Sequence, residues 1–472
     1  MANSAMRVEQ DFLGVKQLPA DAYYGIQTAR ASENFPITGN KIAPELIRAF
    51  AIVKKAAALA NRERNQLDIK IASAIVQAAE ELKNGQWHEQ IIVDPVQGGA
   101  GTSINMNINE VLANRAIELM GGQKGSYSLV SPNSHVNMSQ STNDSFPTAI
   151  RIAVITLLEE LIYIMKKMTD TFQAKAKEFD SILKMGRTHL QDAVPIRLGQ
   201  EFEAYRRVLM RDIERISQTK KHLYEINIGA TAVGTGLNAD PIYAERALQY
   251  LASLTGYPLK SADHLVDATQ NTDMYTEVSS ALKICMINMS KISNDLRLMS
   301  SGPFTGLGEI RLPHRQPGSS IMPGKVNPVM CEVLNQVAFQ VIGNDHTVSL
   351  ASEAGQFELN VMEPVLIFNL IQSITMMKNT FEVFRSHCLE GIEANEEVCS
   401  QYVERSLGTA AALNPYIGYE MSSIIAYEAQ SKGISMRDLC LQKKVLKKEQ
   451  LESILDPYRM TEPGIAGEKL TI

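Results

Sequence analysis

The sequence predicts a mainly all-α protein of three domains, whose central domain is a bundle of long helices that assembles with other subunits. Apolar residues recur at spacings of three and four over long stretches, and no strand-rich region or internal repeat interrupts them. The chain has 472 residues, which is too long for one ordinary hydrophobic core.

Two segments define the central bundle. The first has apolar residues at Val154, Leu158, Leu161, Met165, Met168 and Phe172. The second continues the same steps over three heptads, at Val278, Leu282, Cys285, Met289, Ile292, Leu296 and Met299. Both patterns are typical of a coiled-coil seam. Ile152 and Ile287 add apolar groups on other faces, so we expect neighbouring helices from other subunits, with a monomeric helical core as the alternative.

The predicted domains are residues 1–141, mainly helical, 142–396, the long-helix bundle, and 397–472, a small helical domain in which charged residues increase. Residues 21–35 are expected to be a polar connector. The other expected helices are 46–64, 69–84, 105–120, 195–227, 327–343 and 364–384.

The composition excludes several classes of function. A net charge of −6 gives no electrostatic basis for binding nucleic acid or an anionic membrane. The most apolar stretches contain charged residues or proline, and the first residues lack the apolar core of a secretory signal. The five cysteines are widely spaced without a CxxC pair, which predicts reduced thiols in a cytoplasmic protein.

The most informative stretch is residues 318–328, GSSIMPGKVNP. Its glycines and prolines predict a loop, and a helical pattern begins directly after Pro328. Asn327 is a plausible N-cap, with Pro328 at the first helical position. The free N–H groups of a helix start and the ammonium of Lys325 together favour an anion. A glycine-rich connector with a solvated lysine is the alternative.

Three further polar segments interrupt the helices. Residues 131–147 (SPNSHVNMSQSTNDSFP) place hydroxyl and amide groups before a long helix, where they could simply cap it or could hold a carboxylate. Residues 186–195 (GRTHLQDAVP) are expected to be a break between two helices that contains Thr188, His189 and Gln191. Residues 98–103 (GGAGTS) could let Thr102 approach a ligand, and no GK[ST] follows to make a P-loop.

These segments together offer many neutral donors, one lysine and one histidine. No cluster of carboxylates and no metal-ligand spacing accompanies them, so we expect neither a metal nor another cofactor. The set suits a small dicarboxylate that must be held while its charge is redistributed. It does not suit a metallohydrolase, a glycosidase or a nucleotide enzyme.

The four segments resemble, in order, the motifs of the aspartase/fumarase superfamily: GGAGTS, SQSTND, GRTHLQDA and GSSIMPGKVNP. The resemblance extends from about residue 8 to the C-terminus. It implies three mainly helical domains in a homotetramer, with active sites shared by three subunits. Thr142 stands where fumarases typically have serine, and the flanking segments resemble the members that act on aspartate. The implied reaction is the reversible deamination of L-aspartate to fumarate and ammonia through an aci-carboxylate.

The resemblance also implies roles for individual residues. The groups that hold the reacting carboxylate are Thr102, Ser141, Thr142 and Ser320, and those that hold the other carboxylate are Thr188, Lys325 and Asn327. Asn143 and His189 lie at the amino group, Ser319 is the general base, and Gln191 and Glu332 are supporting residues, with Glu332 paired to His189. The loop 306–325 is expected to be mobile when empty and to close over the substrate.

The composition and the family resemblance favour different residues as the general base. Histidine titrates near neutral pH, so composition favours His189. A serine is a poor base unless its oxyanion is stabilised, which Lys325, nearby backbone donors and the helix start could do. We follow the resemblance and assign Ser319. Two other functions stay open: a fumarate hydratase acting on malate, and a non-catalytic helical scaffold, although a scaffold needs none of these polar residues.

Overall fold

The computed structural model describes residues 5–467, and this part of the protein is mostly helical, which confirms the predicted fold class. The helices up to residue 387 are α1 (Ile26–Asn34), α2 (Pro44–Glu63), α3 (Ile69–Lys83), α4 (Thr102–Leu119), α5 (Thr142–Glu178), α6 (Leu198–Leu223), α7 (Pro241–Thr255), α8 (Leu265–Gln270), α9 (Asp273–Met299), α10 (Val329–Glu353) and α11 (Glu363–His387). The helices that follow are α12 (Glu396–Arg405), α13 (Asn414–Ile417), α14 (Tyr419–Lys432), α15 (Met436–Gln442) and α16 (Lys448–Ile454).

The strands form four small two-stranded sheets. Three are antiparallel and pair β1 (Met6–Asp11) with β2 (Gly14–Pro19), β3 (Leu183–Thr188) with β4 (Gln191–Arg197), and β7 (Ile310–Arg311) with β8 (Glu393–Ala394). The fourth pairs β5 (Glu225–Ile226) with β6 (Lys260–Ser261) in parallel. None of the helices in the described part of the chain has the length and apolarity that a membrane crossing requires.

The described residues divide into two compact units. The first contains residues 5–163, 214–286 and 339–378, and the second contains 164–213, 287–338 and 379–467. The division falls within α5, α6, α9, α10 and α11, so each of these long helices contributes to both units. The three domain boundaries expected from the sequence stay a prediction.

The two apolar seams are buried as their spacing predicts. Every seam residue of α5 from Val154 to Phe172 is fully buried, and the seam of α9 from Val278 to Met299 is buried along its whole length. Ile152, on another face of α5, is also buried, whereas Ile287 on α9 is 50% exposed. The five cysteines are buried and form no disulfide within the described residues.

The C-terminal region has an apolar cluster of its own, within the second unit. Its buried members come from the segment after α12 and from α14, α15 and α16: Leu413, Ile425, Ala429, Met436, Leu439, Cys440, Leu451 and Ile454. This cluster accounts for the short helical periodicity of the final segment, because short helices pack around it.

The expected connector at 21–35 contains a helix instead, α1. The carboxylate of Glu110 accepts hydrogen bonds from the backbone N–H groups of Gly25, Gln27 and Thr28, and so pairs the donors at the start of this helix. Glu110 lies on α4, more than eighty residues along the chain. A cap supplied from so far away leaves no local signal in the sequence, which explains why this prediction was wrong.

The expected break between helices at 186–195 is confirmed, because α5 ends at Glu178 and α6 begins only at Leu198. The sequence did not predict that the chain forms the β3–β4 hairpin there. Lys184 on β3 is buried, and its ammonium lies 2.9 Å from Glu309 and 3.0 Å from Glu201. A lysine at a buried strand position hides the apolar alternation that would otherwise predict a strand.

Arg151 on α5 and Glu363 at the start of α11 are among the ionisable side chains buried in the first unit. Burial raises the pKa of Glu363 to about 8, and the positive charge of Arg151 acts in the opposite direction. The phenol of Tyr275 is influenced by both charges, and burial raises its own pKa well above the usual value. Glu363 is therefore mostly protonated at neutral pH.

Replacing Glu363 by glutamine is expected to make the free energy of unfolding less dependent on pH. The folded protein keeps the proton on Glu363 up to about pH 8, whereas an unfolded glutamate loses it near 4.5, so wild-type stability falls as pH rises between these values. Glutamine cannot ionise. Glu363→Gln should match the wild type near pH 5 and exceed it by about 1–3 kcal/mol at pH 9 in urea unfolding.

Glu382→Gln on the same helix is the matched control. A hydrogen bond from Arg385 lowers the pKa of Glu382, so that group stays ionised throughout the range. Its difference from the wild type should be the same at both pH values. A constant difference for Glu363→Gln as well would contradict the raised pKa.

Candidate active site

Thr102 is the first residue of α4 and is exposed, with its hydroxyl donating to the carbonyl oxygen of Gly99 at 2.7 Å. Gly101 precedes it with a φ of +85°, a left-handed conformation that glycine adopts without strain. A Cβ atom at Gly101 would lie 2.2 Å from Cδ1 of the buried Phe146. The glycine run therefore allows α4 to begin directly against the start of α5.

Ser141 lies directly before α5 and caps it, as the composition of this segment predicts. Its hydroxyl oxygen accepts a hydrogen bond from the backbone N–H of Asn143 at 3.2 Å. In return, the Ser141 N–H donates to the carboxylate of Asp144 at 3.0 Å. The pair fixes the first turn of the helix that carries Thr142 and Asn143.

Asn105 connects the two helix starts. Its amide donates to the hydroxyl oxygen of Thr142 at 3.0 Å and to the side-chain oxygen of Asn137 at 3.2 Å. Asn105 lies one turn along α4 from Thr102, on the same side of the helix. The first unit thus brings the first turn of α4 against Thr142, although Thr102 and Thr142 lie forty residues apart in the chain.

A buried lysine that the sequence analysis did not identify contacts the same polar residues. Lys54 on α2 is fully buried and donates to the side-chain oxygens of Asn137 at 3.0 Å and Gln140 at 2.9 Å. Burial lowers the pKa of Lys54 to about 7, and the charge of Asp144 opposes that shift. A lysine in the alanine-rich run AIVKKAAALA was the available signal.

Asp144 is the second buried charge that was missed. Besides Ser141, it accepts hydrogen bonds from the backbone N–H groups of Gly229 at 3.2 Å and Thr231 at 3.0 Å. Burial raises the pKa of Asp144 to about 6, while these bonds and the charge of Lys54 act against that rise. The carboxylate thereby joins the start of α5 to the turn that follows β5.

In the second unit, Thr188 and Gln191 pair across the end of the β3–β4 hairpin, and His189 and Leu190 form its two-residue loop. Both loop residues have left-handed backbones, with φ of +55° and +60°. Such loops normally contain asparagine or glycine. Left-handed residues with bulky side chains are strained and cluster at functional sites, and all four side chains here are exposed.

The hairpin is held in place by ion pairs on its buried side. The guanidinium of Arg187 lies 2.7 Å from the carboxylate of Glu309, the same buried group that Lys184 contacts. Because Arg187 directly precedes Thr188, this contact fixes the strand end that presents the exposed hairpin tip.

Residues 318–328 form a loop whose two ends are joined. The Gly318 N–H donates to the carbonyl oxygen of Lys325 at 2.8 Å, and the Asn327 amide donates to the carbonyl oxygen of Gly318 at 2.8 Å. The expected N-cap role of Asn327 is therefore wrong, because its side chain is used within the loop and α10 begins at Val329. Closure of this loop over a ligand stays a prediction.

Ser319 has the most distinctive environment in this loop. Its hydroxyl oxygen accepts hydrogen bonds from the backbone N–H groups of Ile321 at 3.2 Å and Met322 at 3.0 Å. Two converging donors favour a negatively charged oxygen. Ser320, the next residue, and Lys325, in the same loop, are both exposed.

A cavity of about 530 Å³ adjoins the loop within the second unit. Lys325, Asn327 and Glu332 line it together with Arg297. Its size suits a small molecule, and two of these side chains are cationic, so the cavity can attract an anion.

The predicted residues thus fall into two groups. Thr102 and residues 141–143 lie in the first unit, whereas residues 188–191, 319–327 and 332 lie in the second. Among the residues that the structure describes, no hydrogen bond joins His189 to Glu332 or the hairpin tip to the loop. Between residues 5 and 467, no three His, Cys, Asp or Glu side chains are grouped so as to hold a metal ion.

Comparisons with known proteins agree with these motifs. The family model described as lyase matches residues 14–343, and that of the fumarase C C-terminus matches residues 410–462. Aspartate ammonia-lyase of Bacillus subtilis (strain 168) is 67% identical over 464 residues, which cover 98% of each chain.

Two solved structures share the fold. One is fumarate lyase:delta crystallin from Brucella melitensis bound to cobalt, with a TM-score of 0.94 and 46% identity over 97% of this chain and 100% of that one. The other is recombinant class II fumarase from Schistosoma mansoni, with a TM-score of 0.92 and 34% identity over the same shares. The chain belongs to the aspartase/fumarase superfamily of lyases.

Proposed function

We propose that this chain catalyses the reversible deamination of L-aspartate to fumarate and ammonia, as a carbon–nitrogen lyase. The observation that supports this substrate most directly is the 67% identity, over nearly the whole chain, to an aspartate ammonia-lyase. The lower identity of 34% to a class II fumarase makes the hydratase reaction the second candidate.

The proposed reaction removes a proton from the carbon next to the side-chain carboxylate of aspartate. The electron pair left on that carbon moves into the carboxylate, which becomes an aci-carboxylate dianion. The electron pair then returns from the carboxylate and forms the double bond of fumarate, as the carbon–nitrogen bond breaks and ammonia leaves. Because negative charge accumulates on one carboxylate, donors fixed around it lower the barrier.

The first group of residues would bind this reacting carboxylate. We assign it to the hydroxyl groups of Thr102, Ser141 and Thr142, with Ser320 from the loop. Their support is the rigid pair of helix starts, where the Ser141 cap and the Asn105 contact hold the donors before a ligand arrives. Asn143 would lie at the amino group.

The second group would bind the rest of the substrate. Thr188, Lys325 and Asn327 are assigned to the other carboxylate, and the ammonium of Lys325 supplies a positive charge for it. His189 would lie at the amino group, supported by Gln191 and by pairing with Glu332. The strained hairpin tip that presents His189 is consistent with such a role.

Ser319 is proposed as the general base. An ordinary serine hydroxyl is too weakly acidic to be deprotonated at neutral pH, so its oxyanion must be stabilised. The backbone N–H groups of Ile321 and Met322 point at that oxygen, and the ammonium of Lys325 belongs to the same loop. These donors favour Ser319 over His189.

Purified protein should release fumarate from L-aspartate and not from L-malate, as followed by ultraviolet absorbance. The resemblance in the flanking segments and the threonine at position 142 favour an amine as the leaving group. If fumarate formed from malate alone, the chain would catalyse the hydratase reaction instead of the proposed deamination. Fumarate from neither substrate would overturn both.

Ser319→Ala should lower kcat for aspartate by about 10²–10⁴-fold, because no other group would accept the proton. His189→Ala should retain measurable turnover with a raised KM. Met322→Leu is the matched control, since it keeps the backbone N–H that contacts Ser319, and it should retain near-normal kcat. Normal turnover in Ser319→Ala together with none in His189→Ala would assign the base to His189.

We also propose a homotetramer in the cytoplasm, with each active site built from three subunits. The long helices expose large apolar side chains that a partner could cover: Ile284 and Ile287 on α9, and Phe339, Ile342 and Leu350 on α10. The five buried cysteines without a disulfide are consistent with a reducing compartment.

Subunit mixing tests the shared site. Ser319→Ala and Thr142→Ala variants should each be nearly inactive, and co-assembly in equal amounts should restore about a quarter of wild-type activity, since half of the subunits supply each intact residue. Ser319→Ala mixed with Lys325→Ala should stay inactive, because one loop contains both residues. No recovery in the first mixture would place Ser319 and Thr142 of each site in one subunit.

A further inference from the structure

The carbonyl oxygen of Asn143 lacks the donor that an α-helix would normally provide. In α5, the backbone N–H four residues later would bond to it, and that residue is Pro147. Proline has no N–H. The carbonyl of the residue assigned to the amino group must therefore find a donor outside its own helix.

Asn227, which follows β5, supplies this donor. Its side-chain N–H group lies 3.0 Å from the carbonyl oxygen of Asn143 and 3.1 Å from the hydroxyl oxygen of Thr269. Its side-chain oxygen accepts a hydrogen bond from Arg151 at 3.4 Å. Asn227 is fully buried, so three partners fix the orientation of its amide.

The residues that follow Asn227 also form hydrogen bonds with the first turn of α5. The Asn143 side chain donates to the carbonyl oxygen of Ala232 at 2.7 Å. The next residue, Asp144, accepts from the N–H groups of Gly229 and Thr231. Asn143 is thus held at its backbone by Asn227 and at its side chain by the following turn.

We propose that Asn227 is a positioning residue for the amino group of the substrate, acting through the carbonyl of Asn143. This inference rests on the proposed function, because it takes Asn143 as the residue at the amino group. Without Asn227 the Asn143 carbonyl loses its donor, and the peptide group of Asn143 turns to find another. The neighbouring Ser141 and Thr142 keep their own hydrogen bonds to Asp144 and Asn105. The amide of Asn143 then no longer meets the nitrogen at the same place, whereas the carboxylate-binding residues of the loop are unaffected.

The variant Asn227→Leu removes the donor and keeps the number and branching of the side-chain heavy atoms. In the addition of ammonia to fumarate, it should raise the KM for ammonia about 10-fold and change the KM for fumarate less than about 2-fold. Equal changes in both KM values, or no change in either, would overturn the inference.

A second substitution separates positioning from general damage. Pro147→Ala returns an N–H that can bond to the Asn143 carbonyl within α5, and it leaves the side chains of Arg151 and Thr269 unchanged. The double variant Asn227→Leu/Pro147→Ala should recover most of the affinity for ammonia, while Pro147→Ala alone should behave as the wild type. A double variant as impaired as Asn227→Leu would show that Asn227 acts by another route.

Two further measurements keep the inference testable if Asn227→Leu folds poorly or if the wild type does not act on aspartate. Thr269→Val removes one hydrogen-bond partner of the Asn227 amide and should raise the KM for ammonia a few-fold. An unchanged KM would count against the inference.

Hydrogen exchange tests how firmly the first turn of α5 is held, and it does not require an active enzyme. Asn227→Leu should speed exchange at residues 143–146 and Pro147→Ala should reverse it, whereas absence of fumarate production by the wild type would overturn only the proposed function.

Discussion

The first turn of an α-helix leaves its backbone N–H groups without helical partners, and most of the candidate site depends on this constraint. Thr102 begins α4, Ser141 caps α5, and the loop of residues 318–328 leads into α10. Each start offers donors and the positive end of a helix dipole to a carboxylate. The buried apolar seam of α5 keeps the start of that helix in place, because a long helix packed in a core does not shift easily.

Buried charge is the second organising feature. Lys54 and Asp144 are enclosed beneath the start of α5, and Lys184 and Glu309 are enclosed behind the hairpin. Removing such groups from water costs free energy that their hydrogen bonds and ion pairs must offset. In both places the buried charge contacts backbone or side chains next to a predicted site residue. These contacts hold the segments that contain the predicted site residues.

Local strain marks the same places. His189 and Leu190 adopt left-handed conformations that bulky side chains avoid, and Pro147 removes a hydrogen bond from the second turn of α5. Each irregularity has a partner nearby: the Arg187–Glu309 ion pair supports the hairpin, and Asn227 bonds to the carbonyl that Pro147 leaves free. Contacts from distant parts of the chain stabilise the irregular backbone at these points.

The sequence by itself determined the helical class, the two seams, the Ser141 cap and the four polar segments, because each depends on residues within a few positions of one another. Only the tertiary structure decided that residues 183–197 form a hairpin, that α1 is a helix capped by Glu110, and that the Asn327 side chain closes its loop instead of capping α10. Asp144 and Asn227 likewise gave no clear local signal, and the signal for Lys54 was a lysine in an alanine-rich run. Their partners lie up to about ninety residues away, and contacts at that distance are set by packing of the whole chain.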